Sequence, residues 1–278
     1  MNTLVFDIET VPDVALGRRL YGLEGLADGQ VAKAMFALRR QHTGGEFLPP
    51  EQQRVVAISC ALRSEDSFRV WSLGDLTSPE GELIQRFFNG IESRSPKLVS
   101  WNGSGFDLPV LTYRALLAGI QARRFWEMGD GDDEFRFNNY LNRYHWRHTD
   151  LMDVLSGFHH RNRVSLANIA CLLGLPGKLG FDGSQVWDAW QAGDLAGIRR
   201  YCETDVLNTW LIYLRFQQLR GQLSPERHVA ELEIVKALLR GELSREQHAE
   251  ELARVRAWLG AQPQPHFGEF LRAWEACP

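Results

Sequence analysis

The chain has little cysteine, and what it has is scattered: Cys60, Cys171, Cys202 and Cys277 are far apart and none forms a C-x-x-C pair. That spacing argues against a zinc ribbon and against a disulfide framework, so a reducing compartment, the cytoplasm, is expected. Long apolar runs are also missing. None approaches the roughly 20 residues that cross a bilayer. The opening MNTLVFDIET carries acids at positions 7 and 9 where a secretory leader would carry basic residues. Neither secretion nor membrane association is expected. Nor is there a surplus of positive charge, since 31 Lys+Arg against 35 Asp+Glu give a formal net charge of −4. Polyanion binding usually draws on excess Lys and Arg, so any nucleic-acid contact has to be local. What the 278 residues do contain is 44% apolar side chains, enough for one or two globular domains with a substantial core.

Leu4-Val5-Phe6 with Ile8 reads as a first strand, followed by a long irregular stretch to about residue 53 with an amphipathic helix over 30–41 inside it. β-rich runs over 54–62 and 68–73, separated by a polar segment, predict an antiparallel hairpin. A helix over 78–89, a short buried strand over 97–101 and a helix over 107–117 come next, and helical periodicity then covers 165–173, 183–191 and 194–219. Strands first, then alternation, then helices predict an α/β fold with a mixed five- to six-stranded sheet flanked by helices. Toward the C-terminus, residues 220–232 and 240–252 align at an offset of 20 with eight of thirteen positions identical. Ser224 and Ser244 stand at natural N-caps, and Pro225 follows the first of them. A C-terminal helical hairpin joined at Gly241 is expected, which divides the chain into a main domain, 1–220, and a helical appendage, 221–278.

Three groups of acids carry chemical interest. In a strand, residues i and i+2 share a face, so Asp7 and Glu9 project together while Phe6 and Ile8 enter the core opposite. They sit at the carboxyl end of the strand, where open α/β sheets place their sites. Asn102-Gly103-Ser104-Gly105-Phe106-Asp107 follows a strand, with two glycines for a tight turn and Asp107 at the start of a helix. Tyr201 and Asp205, four apart, share one face of a long helix. Each feature taken alone also has a plain reading: a solvated acid pair, a helix cap, and a half-buried aromatic beside a surface acid.

Together, FDIET at 6–10, NGSGFDLP at 102–109 and YCETD at 201–205 resemble the three motifs of the DEDD 3′–5′ exonucleases of the RNase H-like fold. The tyrosine in the last motif places the likeness in the DEDDy subgroup; histidine-type members carry His five residues before the last Asp, where this chain has Arg200. The resemblance is to the proofreading domain of B-family DNA polymerases and to a bacterial group of stand-alone predicted exonucleases. It covers about residues 1–220.

The resemblance implies an RNase H-like sheet and a two-metal phosphodiesterase. Asp7, Glu9 and Asp205 would hold one Mg²⁺ or Mn²⁺, and Asp7 and Asp107 the second. Tyr201 would orient the attacking water, and Thr10, Asn102 and Phe106 would contact the substrate. The implied partner is single-stranded nucleic acid with a free 3′ end, DNA or RNA, shortened to nucleoside 5′-monophosphates. A non-catalytic nucleic-acid-binding module of the same fold, an RNase H-like endonuclease and a small-molecule phosphodiesterase are the rival readings.

Other segments stay open between two readings. Residues 136–163 hold five Arg, four His and only two Asp, interleaved with Phe137, Tyr140, Tyr144, Trp146 and Phe158. That mixture suits a single strand, whose phosphates seek charge and whose bases stack, and equally a basic surface loop over core aromatics. His148 and Asp150 are structural or near the site. The acidic stretch 127–134 reads as a solvated turn, the 11–53 segment as a lid or clamp, and Trp187 and Trp190 as packing residues.

Overall fold

The computed structural model describes residues 2–65, 67–241 and 266–277. Among them, five strands form one sheet in the order β3-β2-β1-β4-β5: β1 Thr3–Pro12, β2 Gln53–Arg63, β3 Phe68–Ser72, β4 Lys97–Ser100 and β5 His148–Asp150. β2 runs antiparallel to β1 and to β3, whereas β4 and β5 run parallel to β1. This is the mixed α/β sheet flanked by helices that the sequence order predicts. The 68–73 hairpin partner and the 97–101 strand each stop one residue early, and β5 is a short strand that periodicity did not resolve.

Alternation along β1 sets up two cores. Leu4, Phe6 and Ile8 pack on one face against α3 (Glu80–Arg94) and α4 (Asp107–Ala118), with Phe87, Ile84 and Leu111 fully buried beside them. Val5 points to the other face, where α9 (Leu195–Leu219) lies with Val206, Leu207 and Trp210. Asp7 and Glu9 follow Val5 in the two-residue period and therefore face α9. That helix starts cleanly because Asp194 accepts a hydrogen bond from Gly197 N at 2.8 Å, capping an otherwise unsatisfied donor. No described helix is long and apolar enough to cross a membrane.

The stretch after β1 is more ordered than its sequence suggests, with α1 Val14–Tyr21 and α2 Asp28–Thr43 packed on each other. Asp13 caps α1 and also pairs with the buried Arg114 of α4 at 2.5 Å, while Arg114 reaches Glu80 of α3 at 2.5 Å. One guanidinium thus fixes the start of this segment to both helices on that face.

Toward the C-terminus, α10 Pro225–Leu239 begins at the Ser224 cap expected of it, and the last helix, α11 Phe267–Glu275, supplies Phe267, Phe270 and Leu271 to the α9-side core. Arg63 of β2 forms a two-pronged pair with Glu231 of α10, at 2.8 and 2.9 Å. The second arm of the expected hairpin, including Ser244, lies outside the described residues.

Candidate active site

The acids converge because three elements end or cross at one place. β4 pairs with β1 only from Thr3↔Lys97 to Val5↔Val99, so the β1 backbone beyond Val5 lacks a strand partner on that side. Asp107, the first residue of α4, fills the gap: its Oδ1 accepts a hydrogen bond from Ile8 N at 3.2 Å. A carboxylate thereby sits against the backbone between Asp7 and Glu9. On the other flank, the β1–β2 ladder carries a bulge between Glu9 and Thr10, the extra residue being Val56 of β2. Bulges of this kind re-aim side chains at the end of a strand.

The turn that delivers Asp107 has its own constraints. A Cβ on Gly103 would lie 2.2 Å from Ser100 Oγ, so only glycine fits under the strand end. Asn102 adopts φ 64°, a left-handed conformation that Asn tolerates better than most residues. Asp150, at the end of β5, accepts hydrogen bonds from Asn102 N and Ser104 N, both at 2.9 Å. His148 stays in the core, with Nε2 2.8 Å from Ser100 Oγ, and burial lowers its pKa to about 4, so the ring is neutral. His148 and Asp150 therefore support the turn.

α9 contributes Tyr201, Cys202 and Asp205. Tyr201 and Asp205 are one turn apart and hydrogen-bonded through their side chains. Cys202 points its Sγ at Asp7, 3.4 Å from the backbone oxygen and 3.5 Å from Oδ2. Asp7, Glu9 and Cys202 each offer a ligand atom within 4.8 Å of the others.

The electrostatics follow from the crowding. Burial, then Asp107, Glu9 and Asp205, pushes the Asp7 carboxyl well above its usual range. Burial, then Asp205 and Asp107, does the same to Glu9, against the pull of the Lys178 ammonium. Burial raises Asp107 to about 7 and Asp205 to about 6, the latter opposed by the Tyr201 hydroxyl and by Lys178. Burial and the three acids Asp205, Glu9 and Asp7 push the Tyr201 phenol far up, so it remains a neutral donor. Burial followed by the Asp7 charge keeps Cys202 a thiol. Four carboxyls that resist ionising together form a site that protons or divalent cations must neutralise. Oxygen donors from β1, α4 and α9 fit hard ions such as Mg²⁺ or Mn²⁺.

A sequence family described as "Predicted 3'-5' exonuclease related to the exonuclease domain of PolB" matches residues 45–240. The chain belongs to this family. Asp107, Tyr201 and Asp205 fall within the match, and Asp7 and Glu9 precede it. Among solved structures, the family B DNA polymerase from the hyperthermophilic archaeon Pyrobaculum calidifontis is similar over 79% of this chain, at 18% identity and a TM-score of 0.46. The chain spans 24% of that polymerase. No curated protein matches the chain.

Several residues around the acids are not evident from the motifs. Lys178 acts on Glu9 and Asp205 from a loop anchored by Asn208, whose side chain both accepts from Gly177 N at 3.2 Å and donates to Gly177 O at 3.0 Å. Its signal in the sequence is a basic residue in Gly177-Lys178-Leu179-Gly180, which is easily passed over. Phe47, two-thirds exposed, meets Phe106 at a tilt of 51°, with ring centroids 4.9 Å apart. The 11–53 segment thus reaches the edge of the site. Thr10 directs its hydroxyl to Gln53 at 2.9 Å, just past the bulge. The acidic 127–134 turn stands away from this cluster: Glu127 gathers the amides of Gly129, Asp130 and Gly131 on one oxygen.

Proposed function

We propose that this member of the family is a metal-dependent 3′–5′ exonuclease that removes nucleoside 5′-monophosphates from the 3′ end of single-stranded DNA or RNA. The observation that carries the reading is the meeting of Asp7, Glu9, Asp107 and Asp205 beside the Tyr201 hydroxyl. Asp7, Glu9 and Asp205 would hold one divalent ion and Asp7 with Asp107 a second. When bound, the ions would supply a water made nucleophilic at neutral pH and charge neutralisation at the leaving oxygen.

The chain's own residues account for the rest. Tyr201, kept neutral, donates and accepts hydrogen bonds and so can fix the orientation of the attacking water without surrendering its proton. Asp107 keeps one oxygen on Ile8 N, which locks its rotamer and leaves the other oxygen for the site. Phe106, braced by Phe47, would stack on the terminal base, while Asn102 and Thr10 would hold the terminal sugar and phosphate. Lys178 adds positive charge where a phosphodiester would lie.

The test is digestion of a 5′-labelled single strand with Mg²⁺ or Mn²⁺. A ladder shortening from the 3′ end, abolished in Asp7→Ala and Asp205→Ala, is the expected result. An unchanged substrate, or equal activity in the variants, would overturn the proposal, and cleavage of a circular strand would make the enzyme an endonuclease.

A further inference from the structure

Resting on that reading, we infer that the protein holds its substrate strand at a second place, an Arg-aromatic pocket at the far end of α9 from the acids. Arg220, the C-cap of α9, stands 15 residues beyond Asp205. At a rise of about 1.5 Å per residue the two are about 22 Å apart along the helix. There a cavity of about 310 Å³ is lined by Arg143, Tyr144, Trp146, Phe158, Phe216 and Arg220.

This pocket combines guanidinium groups with aromatic rings, of which Tyr144 and Trp146 remain open to solvent. The Arg220 guanidinium lies 3.5 Å over the Trp146 ring and 5.4 Å from that of Phe216. Arg143 lies 5.1 Å over Phe158, whose ring meets Tyr144 edge-on at 4.9 Å. Tyr144 is 64% and Trp146 42% exposed, in contrast to the neighbouring Tyr140, which is buried in the core. Phe158 also holds φ 62°, a left-handed conformation rare for a bulky side chain. Arg143 is shared with Asp153 at 2.8 Å. Arg220 has no carboxylate within ion-pairing distance among the described residues, and its guanidinium rests on Trp146.

Exposed aromatic edges and faces beside two guanidinium groups suit a base and its phosphate. β5 connects the pocket to the acids in sequence: Asp150 closes the turn that carries Asp107, and Trp146 precedes the same strand. A strand whose 3′ end lies at the acids and whose upstream bases reach Trp146 and Tyr144 would use several nucleotides to cross the interval. Site sizes of about 4–16 nucleotides are ordinary for single-strand binders. The pocket thus makes turnover depend on strand length while leaving the chemistry of the last bond alone.

The experiment pairs binding with turnover in the full chain. Anisotropy of a labelled strand of about 20 nucleotides, read in EDTA, is expected to lose about tenfold in affinity in Tyr144→Ala and in Arg220→Gln, in keeping with base stacking. With Mn²⁺, KM for the long strand rises by a similar factor, kcat is unchanged, and a strand of about 3 nucleotides is turned over as in the parent. Unchanged affinity in both variants, or equal losses on long and short strands, would overturn the inference. Displacement of the long strand from the pocket by free deoxynucleoside monophosphate at equal affinity would also overturn it, making a free nucleotide the occupant. Absence of hydrolysis in the parent, with the binding differences intact, would instead count against the exonuclease reading alone.

Discussion

His266 Nε2 lies 3.0 Å from Glu203 Oε2, joining the last helix to the turn of α9 that carries Tyr201 and Asp205. Both side chains are buried. The other oxygen of Glu203 accepts from Ser72 Oγ at 2.6 Å, Ser72 is 2.9 Å from Ser59 Oγ, and Ser59 is the ladder partner of Asp7. A continuous line of contacts therefore runs from the C-terminal helix to β1 behind Asp7.

Truncating His266 removes one buried polar contact of Glu203, while Ser72 and the nearby Arg199 guanidinium remain beside it, a loss of about 1–3 kcal/mol. His266→Ala is expected to lower the melting temperature by about 2–12 °C, at about 2–4 °C per kcal/mol for a chain of this size. Scanning calorimetry checks this, and a loss under about 2 °C would show that the contact is not structural.

Metal-free protein should lose stability as pH rises. Asp205 and Asp107 ionise in the fold at about 6 and about 7, against an ordinary value of 3.8. With folded values raised, the native state binds more protons than the unfolded chain between these limits, so stability falls as pH climbs through that window. In EDTA the melting temperature should drop between about pH 4 and about pH 8, and added Mg²⁺ should raise it more at the upper end. A flat profile in EDTA would contradict the crowding of the acids.

Asp205→Asn should separate activity from stability. It removes one of the repelling carboxylates while keeping shape, so the metal-free variant at about pH 8 should melt a few degrees above the parent and yet be inactive. Thermal melts and the 5′-labelled digestion measure the two sides. A variant that is both less stable and inactive would mean that Asp205 is structurally needed.

Tyr201→Phe should lower kcat by about a hundredfold, the lower end for a positioned proton-handling group, with the Mn²⁺ affinity unaltered. Because the phenol is held far above neutral pH, the alkaline limb of the pH–rate profile should have the same midpoint in the variant and the parent. A displaced limb would assign Tyr201 a role as base.

The sheet, α4 and α9 were legible because their signals are local: alternation in β1 and the hairpin, and long helical periods ending at Gly119 and near Arg220. Asp7 and Glu9 share a face for the same reason, and Tyr201 and Asp205 by helical spacing. What joins those pairs was not local. The bond from Ile8 N to Asp107 depends on how far β4 runs beside β1, and the Val56 bulge depends on two strands at once. β5 was hidden because three residues are too few for a period, and Glu203 because a mid-helix acid looks solvated until its partner 63 positions on is placed against it. The basic aromatic segment divided along lines that composition cannot draw, Tyr140 entering the core and Tyr144 remaining open.

Asp107 differs from its fellow acids in one respect. By accepting from Ile8 N it does the work of the strand that β4 fails to provide, so the same carboxylate terminates the sheet and furnishes the site. A drift to alanine there would orphan a buried amide as well as remove a proposed metal ligand, whereas at Asp205 the loss of a crowded charge is expected to favour the metal-free fold. Inactive descendants of this chain that remain folded are thus expected to have shed Asp205 before Asp107.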